Sequence, residues 1–355
     1  MGSPLASPAR LAPLNGRTPT VATLCSHSSL QIFHGARSMG LPTLGICVGP
    51  PPRFYDAFPL AKPDRFVSVP SVKELSTATN RLRDEGVVIV PHGSFVEYLG
   101  ADRFAELDVP VFGNRAVLGW ESDRRKERDW LESAGATMPK IIEDPRDVKG
   151  PVIVKYYGAK GGKGFYLAKN REALDDFHPS GPHVIQEYVL GTRYYMHFFY
   201  SPLVDRGYRV GTGSIELLGM DRRDEANIDE LYKLGAQEEL LKAGIRPTFV
   251  VTGNVPVILR ESLLPKAFDV AAKIVDRSIE LFGGMVGPFC LEGIMTEDLE
   301  FKIFEISTRI VAGTNLFISG SPYSDFIEPQ LSTGRRIAQE IRRGVAEDRL
   351  AEIVS

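Results

Sequence analysis

The chain has 355 residues, of which 43% are hydrophobic and 25% are charged, and its formal net charge is -3. This composition is typical of a soluble globular protein with enough residues for about two or three domains, and the lack of a basic excess excludes nucleic-acid binding through overall charge. No apolar run reaches the roughly 18 residues of a membrane helix, and the scattered cysteines lack zinc-site spacing. We therefore expect a cytoplasmic protein without membrane or nucleic-acid partners.

The first residues form a proline-rich segment that lacks acidic side chains and the apolar core of a secretory signal. We expect residues 1–18 to be a disordered tail. From residue 19 onward, strand-like runs alternate with helix-like runs, which predicts a small parallel sheet of the α/β class. The strand-like runs are VATLCS, TLGICVG, RFVSVP and GVVIV, and the helix-like runs are SLQIFHGARSMG and VKELSTATNRLRDEG. We predict a Rossmann-like N-terminal domain over residues 19–113.

The remainder of the chain is predicted to be α+β. A helix-like run, ESDRRKERDWLESAG, precedes strand-rich sequence, and a polar stretch from Gly219 to Gly244 is expected to cross the surface. LLPKAFDVAAKIVDRSIELFG has apolar positions at helical spacing, and STGRRIAQEIRRG predicts a basic amphipathic helix. We expect a smaller subdomain over residues 114–200 and a larger one over residues 201–355.

Two glutamates, Glu292 and Glu305, lie in strand-like runs on either side of a short polar turn in LEGIMTEDLEFKIFEIS. Pairing these residues centres a hairpin between Asp298 and Leu299. The carboxylates would then share one face with side chains about 5 Å apart, and they would repel each other. A divalent cation between them removes the repulsion, and oxygen-only ligands favour magnesium. The alternative is a slipped register that sends one glutamate to solvent.

A turn rich in glycine and lysine joins two strand-like runs in VIVKYYGAKGGKGFYLAK. Glycine lets backbone amides approach phosphate oxygens and lysine neutralises them, although neither a Walker loop nor GxGxxG is present. Lys155 ends the first run and is predicted to point into a nucleotide cleft. The turn contributes Gly161, Gly162, Lys163 and Gly164 to the predicted site. The alternative is a solvated hairpin.

The run HVIQEYV places four candidate nucleotide-binding residues at the end of a strand. They are Gln186, Glu187, Tyr188 and Val189. A strand end can offer backbone amide and carbonyl groups to the edge of an adenine. The alternative is a plain core strand.

The order of these features resembles the ATP-grasp superfamily over residues 114–335. There the nucleotide binds between two α+β subdomains, and two acidic residues hold magnesium on its phosphates. The resemblance implies a pre-ATP-grasp N-terminal domain, then a lid subdomain and a large subdomain that carries the metal site. Many of these enzymes have asparagine two residues after the second metal glutamate. This chain has Ser307 there, whose hydroxyl can still reach metal or phosphate.

Longer blocks resemble the archaeal formate-dependent FAICAR synthetases, where FAICAR is 5-formaminoimidazole-4-carboxamide ribonucleotide of purine biosynthesis. The blocks are SHSSLQIFHGA, PHGSF, VTGNVPVILRESLLPK, MVGPFCLEGIM and FEISTRIVAGTNLFISGSPYS. The resemblance implies a ligase that formylates AICAR, the corresponding 5-amino ribonucleotide, through formyl phosphate, with ATP and Mg²⁺ or Mn²⁺. It also implies Glu230 among the nucleotide-binding residues, and a homo-oligomer.

His27 and Ser94 each follow a predicted parallel strand, so both are expected at the carboxyl edge of the first sheet, where α/β sheets bind ligands. The amides of Ser28 and Ser29, at the start of the next helix, are candidates for holding a monoester phosphate. Together with the resemblance, this predicts that His27, Ser94 and Asn254 bind AICAR. The alternatives are a capping or buried histidine for His27 and turn residues for the other two.

Arg309 and Asn315 follow the second glutamate and are candidates for stabilising charge on the transferring phosphoryl group. The alternative for Arg309 is an ion pair with Glu305. Two rival functions stay open, namely an ATP-grasp ligase for another acid and amine, and a non-catalytic nucleotide-binding regulator. The joint presence of Glu292, Glu305, Lys155 and Arg309 argues against the regulator.

Overall fold

The computed structural model describes residues 5, 8–156, 165–175, 178, 181–227, 242, 244 and 249–355. Within these residues the chain forms three β-sheets with helices packed around them. The helices are α1 (Pro8–Leu11), α2 (Ser29–Ser38), α3 (Thr79–Asp84), α4 (Ala101–Ala105), α5 (Val117–Glu121), α6 (Arg124–Ser133), α7 (Arg171–Asp175), α8 (Leu264–Phe282) and α9 (Thr333–Ala346). The strands are β1 (Thr20–Leu24), β2 (Thr43–Val48), β3 (Arg65–Val69), β4 (Val87–Ile89), β5 (Val152–Tyr156), β6 (Phe165–Ala168), β7 (His183–Glu187), β8 (Thr192–Ser201), β9 (Tyr208–Val210), β10 (Gly213–Asn227), β11 (Phe249–Pro256), β12 (Gly287–Met295) and β13 (Phe301–Ser307). None of the helices in this described part of the chain is long and apolar enough to cross a membrane.

The first sheet is parallel, as predicted, and has the strand order β3-β2-β1-β4. Val21 pairs with Thr43 on one side of β1, and Thr20 pairs with Val87 on the other. The predicted helix between β3 and β4 is present as a 3-10 turn at Val72–Ala78 followed by α3. Because the strands run in one direction, the segments that follow β1 and β4 meet at the same edge of the sheet.

Part of the expected disordered tail is ordered. Residues Pro8–Leu11 form α1, a 3-10 turn follows at Ala12–Leu14, and Leu14 is buried. The amide of Leu5 donates a hydrogen bond to the carbonyl of Ala351 at 2.8 Å. The composition of the segment does not predict this ordered structure, because the contacts that stabilise the segment come from distant parts of the chain. Such contacts override local propensity.

The second sheet is a small antiparallel sheet with the order β6-β5-β7. Val152 and Val154 of the central strand β5 are buried in its core. Lys155 follows them, with Phe165 of β6 and Val184 of β7 as its cross-strand partners. Its position near the end of β5 is the one predicted.

The third sheet has six strands in the order β11-β10-β8-β12-β13, with β9 added beside β10. One face packs against α8, where Phe198 stacks on Phe289 at 5.4 Å and meets Phe268 edge-on at 5.5 Å. Trp130 of α6 donates a hydrogen bond to the carbonyl of Ile274 at 3.0 Å. The predicted subdomain boundary at residue 200 falls at the end of β8, a strand of this sheet, and the division into subdomains stays a prediction.

Helices α2 and α9 cross in direct backbone contact. A Cβ added at Gly35 would lie 2.1 Å from the carbonyl carbon of Gly334, so a larger residue fits there only if the two helices move apart. The side-chain oxygen of Gln31 accepts a hydrogen bond from the Gly334 amide at 2.9 Å. Val111 and Ser355 exchange backbone hydrogen bonds at 2.9 and 3.1 Å. The segment that follows β13 therefore packs back onto the first sheet.

Candidate active site

One face of the six-stranded sheet carries a row of polar side chains. Residues directly opposite each other in an antiparallel sheet share a face, and so do residues two apart on one strand. The registers place Asn254 opposite Arg223, Asp221 opposite Tyr195, Tyr195 opposite Glu292, and Glu292 opposite Glu305. Since the other face is apolar and covered by α8, this polar row is the face of the sheet that can bind a charged ligand.

The predicted pairing of Glu292 with Glu305 is confirmed. The pairing then slips by one residue at a β-bulge, which makes Phe304 the extra residue on its strand. The turn is closed by a hydrogen bond from the Thr296 amide to the Glu300 carbonyl at 3.0 Å. The symmetric hairpin predicted from the sequence is therefore correct at the glutamate pair and wrong by one residue at the turn.

The two carboxylates have different surroundings. Glu292 is only 4% exposed, and its Oε1 accepts hydrogen bonds from Arg223 Nη2 at 3.0 Å and from Ser307 Oγ at 3.2 Å. Burial and the neighbouring Glu292 raise the pKa of Glu305 to about 7. Among the described residues, no hydrogen-bond partner is found for the Glu305 carboxylate. Ser307 thus orients the first glutamate, while the second keeps its oxygens available.

This pair fits a divalent cation. Both ligands are oxygens, and their mutual repulsion is what a cation would remove. Two carboxylates, with nucleotide phosphates and water to complete the shell, would form an arrangement that Mg²⁺ prefers. Within the described residues no group of three or more His, Cys, Asp and Glu side chains is arranged for a metal.

Lys155 lies beside the glutamate pair. Its Nζ is 5.6 Å from the centroid of the Phe304 ring. Burial and Arg124 lower the pKa of Lys155 to about 8, opposed by the carboxylates of Glu305 and Glu127. The second sheet therefore brings a cation close to Glu305, and the nucleotide-binding role of Lys155 stays a prediction. The predicted glycine and lysine turn and one further nucleotide contact lie outside the described residues: Gly161, Gly162, Lys163, Gly164 and Glu230.

The predicted adenine segment is tied to its surroundings. Glu187 Oε1 accepts hydrogen bonds from the Lys140 amide at 2.9 Å and from Lys302 Nζ at 2.7 Å. The Tyr188 amide donates to the Pro151 carbonyl at 3.0 Å. Glu187 thus links β7 to β13, and its side chain and the Tyr188 amide are already engaged.

The two remaining residues of that segment are Gln186 and Val189. Gln186 is buried, and its side-chain amide donates to the Pro139 carbonyl at 3.4 Å. Val189 is half-buried just beyond the strand. A nucleotide contact from this segment stays a prediction.

His27 lies at the edge of the first sheet, directly after β1, with a left-handed backbone φ of 46°. Its ring stacks on His92 with centroids 5.4 Å apart, and its Nδ1 is 2.8 Å from Ser28 Oγ. His27 is exposed at this edge. Partial desolvation by the surrounding groups, followed by the guanidinium groups of Arg309 and Arg223, lowers the pKa of His27 to about 4. Ile310, which follows Arg309, forms a backbone bridge with His92, so the edge of the first sheet and the segment after β13 converge here. We call the neighbourhood of His27, Arg223 and Arg309 the junction.

Ser94 and His92 extend the same edge. Ser94 Oγ accepts a hydrogen bond from Ser26 Oγ at 2.8 Å, and the Ser94 amide donates to His92 Nδ1 at 3.2 Å. The structure thus brings Ser94 and His27 together, as predicted. The amide of Ser29 donates to the Ser26 carbonyl at 3.0 Å, so the predicted pair of free amides at the start of α2 is wrong for Ser29.

Asn254 is oriented by a buried carboxylate. Its Nδ2 donates to Asp221 Oδ2 at 2.7 Å, and His197 Nε2 lies 2.6 Å from Asp221 Oδ1. The amide nitrogen faces the carboxylate because only that group can donate, so the Asn254 oxygen is directed elsewhere. The expectation that residues 219–244 cross the surface is wrong for this part, since Asp221 lies on β10 and is 0% exposed.

Arg309 pairs with Glu121 and not with Glu305, the alternative considered from the sequence. Its Nη2 is 3.0 Å from Glu121 Oε1, which belongs to α5. Asn315 is exposed on the 3-10 turn Ala312–Phe317, and its Oδ1 accepts from Gln31 Nε2 at 3.3 Å. Arg309 and Asn315 therefore lie in the segment that follows β13, and Asn315 connects this segment to α2.

Sequence reasoning missed Arg223, His92 and Glu127. Glu127 of α6 accepts a hydrogen bond from the Ile306 amide at 2.8 Å, and burial together with Glu305 raises its pKa well above the usual range. Glu127 stands in a strongly charged helical run that looks solvated. His92 could have been found from the sequence, because it lies two residues before the predicted site residue Ser94 in the same turn.

A parallel first domain, a small sheet that carries Lys155 and a large antiparallel sheet that carries two opposed glutamates define a protein of the ATP-grasp class. The chain is 60% identical over 346 residues to the 5-formaminoimidazole-4-carboxamide-1-(beta)-D-ribofuranosyl 5'-monophosphate synthetase of Methanothrix thermoacetophila, which covers 96% of this chain and 97% of that protein. It is also 60% identical to the synthetase of the same name from Methanosarcina acetivorans, with 95% of each chain covered. This chain belongs to that synthetase family.

Solved structures agree with this assignment. An IMP biosynthesis protein PurP from Thermococcus kodakaraensis superposes with a TM-score of 0.73 at 31% identity, covering 94% of this chain and 100% of the other. An ADP complex of purK, an N5-carboxyaminoimidazole ribonucleotide synthetase, has a TM-score of 0.64 at 15% identity, covering 92% and 76%, and shares the fold. Two family models match, described as a protein of unknown function (DUF1246) over residues 21–142 and a domain of unknown function (DUF1297) over residues 176–355.

Proposed function

We propose that this chain is an ATP-dependent ligase that uses formate to convert AICAR into FAICAR in IMP biosynthesis. The observation that carries the proposal is that the sheet edge with His27 and His92 meets, at Ile310, the segment that follows Glu305 on the polar row. A phosphate-activating site and a site for a second substrate would then lie side by side. The names of the archaeal relatives specify the same product.

The reaction proceeds in two transfers. A formate oxygen attacks the γ-phosphorus of ATP, the bond from that phosphorus to the β–γ bridging oxygen breaks, and ADP leaves with the electron pair. The 5-amino nitrogen of AICAR then attacks the formyl carbon. The bond from that carbon to the phosphate oxygen breaks, phosphate leaves, and the nitrogen loses a proton. Without phosphorylation, formate would have to expel oxide, which is a far poorer leaving group.

The nucleotide half of the site is assigned to four groups. Glu292 and Glu305 would hold Mg²⁺, with Mn²⁺ as the alternative, which neutralises phosphate charge on the nucleotide. Lys155 adds a positive charge from the second sheet. The turn at residues 161–164 is proposed to cover the phosphates and keep water from formyl phosphate. Residues 186–189 and Glu230 are proposed to contact the remainder of the nucleotide.

The AICAR half of the site is assigned to His27, Ser94 and Asn254. With its pKa lowered to about 4, the His27 ring is neutral at physiological pH and can accept a hydrogen bond. Because Asp221 holds the Asn254 nitrogen, the Asn254 oxygen is the atom left to accept from an N–H of the substrate. Arg309 and Asn315 keep their predicted role of stabilising charge on the transferring phosphoryl group.

The test is the reaction of purified protein with ATP, Mg²⁺, AICAR and formate labelled with ¹⁸O at both oxygens. The proposal expects ADP release that requires both AICAR and formate, with one ¹⁸O in phosphate and one in the formyl group of FAICAR. Phosphate without ¹⁸O would contradict the acyl phosphate route. ATP turnover that ignores formate would favour the rival ligase that uses another acid and amine.

A cytoplasmic homo-oligomer is also proposed. Phe326 is 87% exposed, and with Tyr208 and Ile327 it lines a cavity of about 1030 Å³ beside α9. An apolar side chain this exposed, at the rim of a large concave surface, supports contact with a second copy. Light scattering coupled to size-exclusion chromatography measures the mass directly. A monomer at micromolar concentration, unchanged by Phe326→Asp, would contradict the proposal.

A further inference from the structure

Arg223 lies at the junction and has no role in the assignments above. Its Nη2 is 3.0 Å from Glu292 Oε1, and its guanidinium carbon lies 3.6 Å from the centroid of the Tyr195 ring. Across the strand pair it lies opposite Asn254. Arg223 thus touches the candidate metal pair on one side and neighbours the candidate AICAR residue on the other.

The guanidinium keeps groups available for a ligand. Apart from Nη2, its N–H groups make no hydrogen bond with the described residues, and the side chain is 22% exposed. The ring of Tyr195 beneath it fixes the plane of the group. Although burial acts in the opposite sense, the Glu292 carboxylate raises the pKa of Arg223 above its usual value. A permanently charged, planar donor therefore faces the junction.

The other cations near the site are placed differently. Arg309 is held by Glu121, whose Oε2 also accepts from the amide and hydroxyl of Thr308 at 2.8 and 2.7 Å. Lys155 approaches from the side of Glu305. Among the described residues, Arg223 is a cation that lies between Glu292 and Asn254, where an acid must sit if it is first to be phosphorylated and then to meet an amine.

We propose that Arg223 binds the carboxylate of the acyl donor, and then the phosphate oxygens of the acyl phosphate, between Glu292 and Asn254. The inference rests on the proposed function, which supplies formate as that donor. A guanidinium matches a carboxylate or a phosphate because its planar N–H groups pair with two oxygens at once. Retaining one cation through both steps holds the formyl carbon beside the amine while the phosphate leaves.

The experiment compares steady-state constants of the wild type with those of Arg223→Lys and Arg223→Gln. Loss of a charge-assisted bidentate contact is expected to raise the KM for formate by about 10- to 100-fold in Arg223→Gln and less in Arg223→Lys. The KM values for ATP and AICAR are expected to stay within about threefold. Added guanidinium ion is expected to restore part of the activity of Arg223→Gln. No such rescue is expected if the role of Arg223 is purely structural. The control is Arg222→Gln, since Arg222 is exposed on the same strand.

The outcomes separate this inference from the function on which it rests. Wild-type protein that makes no FAICAR refutes the proposed function. Active wild type together with an unchanged formate KM in both variants refutes the role of Arg223. Equal increases in all three KM values, with a lower Tm, would show that Arg223 only positions Glu292 and does not bind formate. If Arg223→Gln does not fold, the formate KM of Arg223→Lys decides the matter by the same criterion.

Discussion

The carboxylates of Glu292 and Glu305 face each other across β12 and β13, and burial together with this proximity raises the pKa of Glu305 to about 7. We predict that Glu292→Gln or Glu305→Gln lowers kcat by at least about 100-fold, since a neutral amide is a poor ligand for Mg²⁺. The Tm of Glu305→Gln should not fall, because the substitution removes a buried repulsion, whereas the Tm of Glu292→Gln should fall because that substitution also removes the carboxylate that pairs with Arg223. Steady-state ADP release and thermal unfolding measure both quantities.

Glu300→Gln is the matched control, because Glu300 is exposed in the turn of the same hairpin. It should keep wild-type turnover. Full activity of Glu292→Gln or of Glu305→Gln would contradict the metal assignment.

The buried ring of His92 predicts a pH-dependent stability. Its Nε2 lies 3.0 Å from the Leu24 carbonyl, and its Nδ1 accepts from the Ser94 amide, so the neutral ring satisfies both partners. Burial, opposed in part by the Leu24 hydrogen bond, lowers the pKa of His92 from 6.5 to about 3. Between these values the unfolded chain binds a proton that the folded chain does not. Stability is therefore complete above about pH 6.5 and is lost as the pH falls, by about 1.4 kcal/mol per pH unit from this residue.

Urea unfolding of wild type and His92→Gln near pH 7.5 and near pH 5 isolates this contribution. The free energy of unfolding of the wild type, relative to the variant, should drop by about 2 kcal/mol between the two conditions. A difference that does not change with pH would contradict the argument.

Asp221 is predicted to act on AICAR through Asn254. In Asp221→Asn the new amide can present either its oxygen or its nitrogen, so the orientation of Asn254 is no longer fixed. The KM for AICAR should rise about 10-fold, the value of one hydrogen bond, with little change for formate or ATP. Asp224→Asn, at an exposed position on the same strand, is the control. Similar losses for all three substrates would point to a general packing defect.

The contact between α2 and α9 predicts the effect of a single methyl group on stability. Gly35→Ala places a Cβ 2.1 Å from the backbone of Gly334, so the helices must separate. We expect a loss of about 2–4 kcal/mol in unfolding free energy, measured by urea or thermal unfolding. Gly119→Ala, within α5 and with no atom within 4 Å of the added Cβ, should be neutral or stabilising by up to about 1 kcal/mol. Equal stability of the two variants would contradict the close crossing.

The parts of the site that could be predicted from the sequence are those that depend on local pairing. Glu292 and Glu305 are joined by one hairpin, and alternation along its strands is enough to place them on one face. The bulge that shifts the turn was not predictable, because no glycine or proline marks Phe304 as an extra residue. The parallel order of the first sheet followed from alternating elements, and it correctly placed His27 and Ser94 at one edge.

The remaining residues depend on contacts between distant strands. Arg223 and Asp221 lie in a polar run that resembles a surface segment, and their roles appear only when β10 is aligned with β8 and β11. The ion pair of Glu187 with Lys302 of β13 was likewise not predictable, and the nucleotide contact of Glu187 stays a prediction. Such partners follow from tertiary registers, which propensity and spacing do not encode.

The hydrogen bond between Gln31 and Gly334 joins residues 303 positions apart in the chain. The helix that begins two residues after His27 therefore lacks its packing partner until the ribosome has synthesised almost all of the later residues. We expect the first domain to stay incompletely packed during translation and to close late, after the large sheet has formed, with the slow kinetics of folds rich in distant contacts.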